Sequence, residues 1–253
     1  MVRRPSAVLS PSRFGPATLA FAVPLAAFAY FLAAPLLPAL PAGDATILVA
    51  GSIGLLLVAG SALALLPARD ALIGPLLIAL GAGLLVAACN ADGTTGVGAG
   101  ANVPEALLAG AGGLLFARWL AAPAIAVAVP LFVAVIDALS VAFGPTSRLL
   151  DAGTARVDAL SFDLPAWGDD GSAGHLGFSD AFFVSLFAAW ALRFGFRRGA
   201  TIAGLLLGLL AALGLSVALD RGIPALPFVA AGYLLPNADR VWRLLARRAE
   251  ASA

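Results

Sequence analysis

The chain has 253 residues, of which 61% are hydrophobic and only 11% are charged, and its formal net charge is +1. A soluble globular domain carries about 25% charged residues, so this composition excludes an ordinary soluble domain and favours lipid as the surrounding solvent. The near-neutral charge argues against nucleic acid as a partner. A single cysteine can form neither an intrachain disulfide nor a cysteine metal cluster, and we expect no metal or cofactor.

Eight apolar stretches predict membrane-spanning helices, each of which needs about 20 residues. They are Ala17–Leu37, Ala45–Leu66, Ala71–Cys89, Glu105–Leu120, Pro123–Phe143, His175–Arg193, Ala200–Leu219 and Ile223–Asn237. The sequence therefore predicts an all-α polytopic membrane protein whose residues 1–253 form a single transmembrane domain.

The arginines predict the orientation, because positively charged residues concentrate in cytoplasmic loops. With eight spans and a cytoplasmic N-terminus, only Arg148, Arg156 and Arg221 of the 15 basic residues lie outside. We therefore expect a multi-pass protein of a bacterial inner membrane with both termini in the cytoplasm. Trp190 and Trp242 are expected to lie at the membrane interface.

The longest polar stretch, Gly144 to Gly174, is predicted on the outer side. Within it, Ala159–Leu164 alternates in part between apolar and polar residues, which weakly indicates a β-strand; an irregular loop is the alternative. Asp163, Asp169 and Asp170 are expected to be solvated loop residues. His175, the only histidine, is expected at the outer interface.

Two aspartates lie within predicted spans, where charged residues are costly and usually functional. Asp137 lies six residues before Phe143 and Asp180 five residues after His175, at the facing ends of consecutive spans. At a rise of 1.5 Å per residue both lie about 8–9 Å below the outer boundary, so their carboxyl groups can face each other and share a proton. This arrangement suits aspartyl-protease chemistry, in which one carboxylate activates water. The alternatives are a proton relay or ion site in a transporter, and aspartates that cap polar helix contacts.

The residues around these aspartates resemble the presenilin and signal peptide peptidase family of intramembrane aspartyl proteases, in a prokaryotic form. Gly-Phe-Ser-Asp at Gly177–Asp180 is similar to the family's Gly-x-Gly-Asp motif, and Asp137 to its other catalytic aspartate. Pro-Ala-Leu at Pro224–Leu226 is similar to the family's Pro-Ala-Leu motif. The chain departs from the pattern at Ile136, where tyrosine is common, and at Ser179, where the family has its second glycine.

The resemblance, which covers roughly residues 121–237, implies a presenilin-like bundle of eight or nine transmembrane helices. It implies an endopeptidase that cleaves transmembrane segments or remnant signal peptides, with Asp137 and Asp180 catalytic. Residues 121–253 would form the catalytic half and residues 1–120 the supporting helices. The implied substrate-binding residues are Gly177, Ser179, Pro224, Ala225 and Leu226. The expected partners are transmembrane helices of substrate proteins and the lipid bilayer. The alternatives are a catalytically inactive relative that binds transmembrane helices, and a proton-coupled transporter.

Three further expectations concern how a substrate would bind. Pro224 and Pro227 lack backbone donors and should loosen the start of the last span. Irregular backbone survives in a membrane only inside protein or facing water, so this segment should lie beside the aspartates. The alternative is that proline is here simply a helix-start residue after Asp220–Gly222. Gly177 is expected on the same helix face as Asp180, leaving room for a close approach. An unwound substrate segment could add as a strand to Ala159–Leu164.

Overall fold

The computed structural model describes residues 16–41, 43–91, 101–143, 161–168, 171–243 and 246. These residues form eight helices and one two-stranded sheet. The elements are α1 (Pro16–Ala33), α2 (Asp44–Thr46, a π-helical turn at Ile47–Gly51, and Ser52–Leu63), α3 (Ile73–Ala91), α4 (Asn102–Trp119), α5 (Ile125–Phe143), β1 (Ser161–Pro165), β2 (Ser172–Gly177), α6 (Phe178–Arg193), α7 (Arg198–Leu219) and α8 (Leu226–Leu234).

The mainly helical fold is confirmed, and each of the eight predicted stretches overlaps one of these helices. Among the described residues, three helices are long and apolar enough to cross a membrane, namely Asp44–Ala68, Ile125–Ala142 and Arg198–Leu219. Two shorter apolar helices cover Phe21–Leu36 and Ile73–Ala88.

The all-α prediction is wrong in one place, because residues 172–177 form strand β2 and the sixth helix begins only at Phe178. His175 therefore lies in a strand rather than at a helix start. Gly174, which has a positive φ of 131°, and Gly177 weaken any helix here, and pairing with β1 supplies the backbone hydrogen bonds instead.

Helix α6 lies at the centre of the bundle. It packs against α2, α4, α7 and α8, and every residue from 184 to 191 is buried. Gly113 lets the α4 backbone approach α6 directly, because a Cβ there would lie 2.6 Å from the Phe182 carbonyl oxygen. Ser185 Oγ donates to the Gly110 carbonyl at 3.1 Å and joins the two helices further.

Helix α5 lies at the edge of the bundle. It packs mainly against α8 and contacts α6 only slightly. Its large apolar side chains point outward; Leu131, Phe132, Val135, Ile136 and Leu139 are all exposed. Helix α8 is itself held on α7, where Gly204 and Gly232 bring the two backbones into contact.

The β1–β2 hairpin covers the end of the bundle at which α6 begins. Phe162 and Leu164 of β1 are buried, and Phe162 stacks on Phe178 with ring centroids 6.2 Å apart. The predicted strand is confirmed for Ser161–Leu164, whereas Ala159 and Leu160 lie outside the described residues.

Two groups of side chains fix this hairpin. Trp167 Nε1 donates to the Tyr30 hydroxyl at 3.0 Å, and that hydroxyl donates to the Ala50 carbonyl at 3.1 Å. Asn102, at the start of α4, donates to the Asp163 carbonyl at 2.5 Å and accepts from the Asp163 amide at 3.1 Å. The hairpin is thereby joined to α1, α2 and α4.

Candidate active site

Asp180 lies in the first turn of α6, directly after β2. Gly177 ends the strand in an extended conformation (φ −65°, ψ 141°) and caps the helix. The Asp180 carboxylate folds back and accepts the Gly177 amide at 3.1 Å, as an acidic residue at the third helical position commonly does. The expectation that Gly177 shares a helix face with Asp180 is therefore wrong, since Gly177 precedes the helix.

The absence of a side chain at Gly177 matters for this contact. A Cβ built there would lie 3.0 Å from Asp180 Oδ2, so the carboxylate would have to shift by a few tenths of an ångström. Glycine therefore gives the carboxylate additional room beside the amide.

Asp137 is held by the start of α8. Its Oδ2 accepts the Leu226 amide at 3.0 Å. The first amides of a helix have no partner within the helix, and the helix dipole there favours an anion. The Pro-Ala-Leu segment thus lies beside Asp137, as its prolines predicted, and its contact is a backbone donor rather than a side chain.

Asp137 lies on α5 and Asp180 on α6, and these two helices contact each other and α8. Each carboxylate accepts one backbone amide from the start of a helix, Asp180 from Gly177 and Asp137 from Leu226. None of the ion pairs formed by the described residues includes either aspartate.

The remaining predicted site residues lie around this pair. Ser179 is exposed beside Asp180, and Pro224 and Ala225 are half-buried just before α8. The Leu226 side chain is buried although its amide reaches Asp137. Ile136 is 48% exposed on the outer face of α5, so the residue at that position points away from the carboxylates.

His175 and Asp163 face each other across the hairpin. They are directly paired residues of β2 and β1, with His175 Nδ1 3.8 Å from Asp163 Oδ1. Asp163 therefore lies in a strand and not in a loop as expected, and its side chain is half-exposed. Asp169 and Asp170 lie outside the described residues.

Sequence reasoning missed Asn102, whose side chain is 2% exposed and binds both backbone groups of Asp163. The sequence feature that could have indicated it is an asparagine at the start of an otherwise apolar helix.

Trp190 was predicted at the membrane interface, but it is fully buried and donates to the Leu120 carbonyl at 3.0 Å. Trp242 is 74% exposed. Within the described parts of the chain, no group of three or more His, Cys, Asp or Glu residues could hold a metal ion.

Comparisons with protein-family models, with curated proteins and with solved structures gave no match.

Proposed function

We propose that this chain is a multi-pass intramembrane aspartyl endopeptidase that cleaves transmembrane segments or remnant signal peptides. The observation that carries the proposal is the carboxylate pair. Asp137 and Asp180 come from two helices that contact each other, and each carboxylate accepts a backbone amide. The motif resemblance at Gly177–Asp180 and Pro224–Leu226 favours proteolysis over proton transport as the function of these two aspartates.

The surface supports a membrane location. Large apolar side chains stand outward on consecutive turns of several helices, which a monomeric soluble protein rarely tolerates. On α3 they include Ile73, Leu76, Leu77, Leu80 and Leu84, and on α1 Phe21, Leu25 and Leu32. A bilayer would cover these faces, and we propose that all eight helices belong to the membrane domain.

The chemistry would use the pair asymmetrically. Two negative charges at close range repel, so a state with one shared proton has the lower free energy. The ionised group would activate a water molecule, and the protonated one would donate to the substrate carbonyl. The amides of Leu226 and Gly177 would hold the two carboxylates in place while the proton moves between them.

The hairpin supports binding of a substrate strand at the outer edge of β2, and not at β1 as the sequence suggested. Asn102 occupies both outer backbone groups of Asp163, and Pro165 has no amide hydrogen, so the outer edge of β1 is closed to a substrate strand. In an antiparallel pair of strands, two directly opposite residues either bond to each other through their amide and carbonyl groups or both point these groups away from the partner strand. His175, opposite Asp163, therefore points its amide and carbonyl to the outer edge of β2.

The β2 edge leads directly to Asp180. We propose that an unwound substrate segment adds to this edge by main-chain hydrogen bonds, with the His175 backbone as one contact. Because β2 continues into α6 at Gly177, a strand bound there would pass the carboxylates.

The test is cleavage of a model transmembrane peptide by the purified full chain in detergent or liposomes. Asp137→Asn and Asp180→Asn keep the side-chain shape and an amide-accepting oxygen but remove the charge. We expect each to reduce the rate by at least about a thousandfold, because the base or the acid is lost. Asp220→Asn, an exposed aspartate after α7, is the matched control and should cleave like the wild type.

Three outcomes would distinguish the competing functions. Cleavage that survives either active-site substitution contradicts the proposal. Peptide binding without turnover in the wild type would favour an inactive relative. Proton-coupled solute uptake into liposomes, lost in the same two variants, would favour a transporter.

A further inference from the structure

An open, surface-exposed cavity of about 630 Å³ lies at the end of the bundle opposite the hairpin. Its lining residues are Arg69, Asp70, Arg118, Leu192 and Arg193. Helices α2, α4 and α6 all run from the hairpin end toward this cavity. Their last turns, or the residues just after them, therefore bring three arginines from distant parts of the chain to one place.

Among the described residues that line the cavity, the charges do not balance. Arg69 pairs with the Asp70 carboxylate at 3.3 Å, and Arg118 Nη1 donates to the Asp70 carbonyl oxygen at 2.7 Å. Among the ion pairs of the described residues, none includes Arg193. Three guanidinium groups thus face a single carboxylate, and each guanidinium carries five donors in a planar fork.

We propose that this cavity binds a phosphate group. Phosphate accepts paired hydrogen bonds from arginine forks and carries the charge that the cavity lacks. The volume exceeds that of a bare phosphate and leaves room for a substituent such as glycerol. Asp70 would orient Arg69 and Arg118 without neutralising the whole set.

An anionic phospholipid is the source that the surroundings favour. Trp119, directly after Arg118, is 75% exposed, and Phe116, one turn earlier, is 42% exposed. Exposed aromatic rings at a helix end are typical of the headgroup level of a bilayer. Basic pockets between helices at the cytoplasmic side bind anionic headgroups, and the arginine distribution predicts that this end is cytoplasmic.

Positive charge at cytoplasmic helix ends also directs membrane insertion. Insertion requires only the charges, whereas a binding site requires that they converge. Arg198 is exposed at the start of α7 and does not line the cavity. Comparing Arg198 with Arg118 and Arg193 therefore separates the two roles.

The experiment titrates the purified full chain with short-chain phosphatidylglycerol and counts bound lipid by native mass spectrometry. The double variant Arg118→Gln/Arg193→Gln should bind at least about tenfold more weakly, since two charge-assisted contacts are lost. The double variant Arg198→Gln/Arg221→Gln removes the same charge from exposed sites outside the cavity and should bind like the wild type.

Glycerol 3-phosphate as a competitor distinguishes the two sources of phosphate. Weak competition assigns the cavity to lipid, and competition as strong as that of the short-chain lipid assigns it to a soluble phosphoester. Equal lipid binding by the wild type and the Arg118→Gln/Arg193→Gln variant overturns the proposal, as does an equal loss in the matched control.

A charge-conserving variant keeps the test valid if the glutamine variant does not fold. Arg118→Lys/Arg193→Lys retains the charge but not the planar fork. We expect this variant to bind several-fold more weakly than the wild type, and unchanged affinity would contradict the proposed phosphate contacts. The outcome does not depend on proteolytic activity, so it stands apart from the cleavage assay.

Discussion

Helices α5 and α6 carry one aspartate each, and they are held in opposite ways. Helix α6 is buried over two full turns and contacts α4 through backbone at Gly113. Helix α5 exposes most of its large side chains and packs mainly against α8. Asp180 is therefore positioned by the centre of the fold, whereas Asp137 depends on the segment that begins α8.

This difference separates stability from site assembly. Disturbing the surroundings of α6 should lower the stability of the whole bundle, because tightly packed backbone cannot relax. Disturbing the link between α5 and α8 should instead displace one carboxylate while most of the core remains. The following substitutions test that distinction.

Gly113→Ala should have the largest effect on stability. The new methyl group would lie 2.6 Å from the Phe182 carbonyl oxygen and 2.9 Å from the Leu186 amide nitrogen, so α4 and α6 must separate. We expect a loss of roughly 1–3 kcal/mol in the free energy of unfolding, measured by denaturant or thermal unfolding in detergent. Gly214→Ala is the control, because nothing lies within 4 Å of its new methyl group. Equal effects of the two changes would contradict the close packing around α6.

His175→Pro should weaken cleavage with little loss of stability. Proline removes an amide on the outer edge of β2, where no bond to β1 is lost, but a substrate strand would lose one main-chain contact. We expect roughly tenfold lower kcat/KM for a model transmembrane peptide, corresponding to about 1.4 kcal/mol. His175→Ala keeps the amide and should cleave like the wild type. A similar loss in both variants would point to the imidazole rather than the backbone.

Asp137→Ala should loosen α5 by a smaller amount. The substitution leaves the Leu226 amide without its acceptor, and such a hydrogen bond contributes about 1 kcal/mol. Asp137→Asn can still accept that amide through its side-chain oxygen and should retain most of the stability. Hydrogen exchange of α5 and of the Leu226 amide measures the difference. Identical exchange in the two variants would show that this contact does not hold α5.

Asp239→Asn should have the smallest effect, and it should depend on pH. A hydrogen bond from Arg197 is the main cause that lowers the pKa of Asp239 below its usual 3.8, and Arg243 adds to it. Since the folded pKa is depressed, the contribution is fully present at neutral pH, shrinks as the pH falls below about 4 and is lost once the pH has passed below the folded pKa. We expect Asp239→Asn to unfold slightly more easily than the wild type at pH 7, and we expect the difference to shrink steadily as the pH is lowered below about 4. A difference that stays constant over this acidic range would exclude this ion pair as its cause.

Much of the bundle could be predicted because apolar runs and their breaks identify helices without knowledge of tertiary contacts. The contact between the two helices that carry Asp137 and Asp180 could also be expected in advance, since consecutive helices are antiparallel. His175 to Gly177 could not be assigned, because a short apolar and glycine-rich run fits a strand or a helix equally well by periodicity. Only the pairing with β1 decides between them.

Contacts that join distant residues also escaped prediction. Asn102 completes the edge of β1 from 61 residues away, and no local pattern specifies that partner. Trp190 is of a residue type that often lies at the membrane interface, but here it is fully buried. Its burial could not be predicted, because it depends on which helices surround α6. Pro224 and Pro227 were enough to predict that the Pro-Ala-Leu segment lies near Asp137. That the donor is the Leu226 amide could be known only once the start of α8 was known.

The bond from Trp167 to Tyr30 spans 137 residues and has a consequence for the order of assembly. Tyr30, Ala50 and Asn102 are all synthesised before the hairpin that they hold. During translation, α1, α2 and α4 can therefore pack together and form a receiving surface before β1 emerges. The early part of the chain can thus act as a template on which the hairpin and α6, with Asp180, complete their structure.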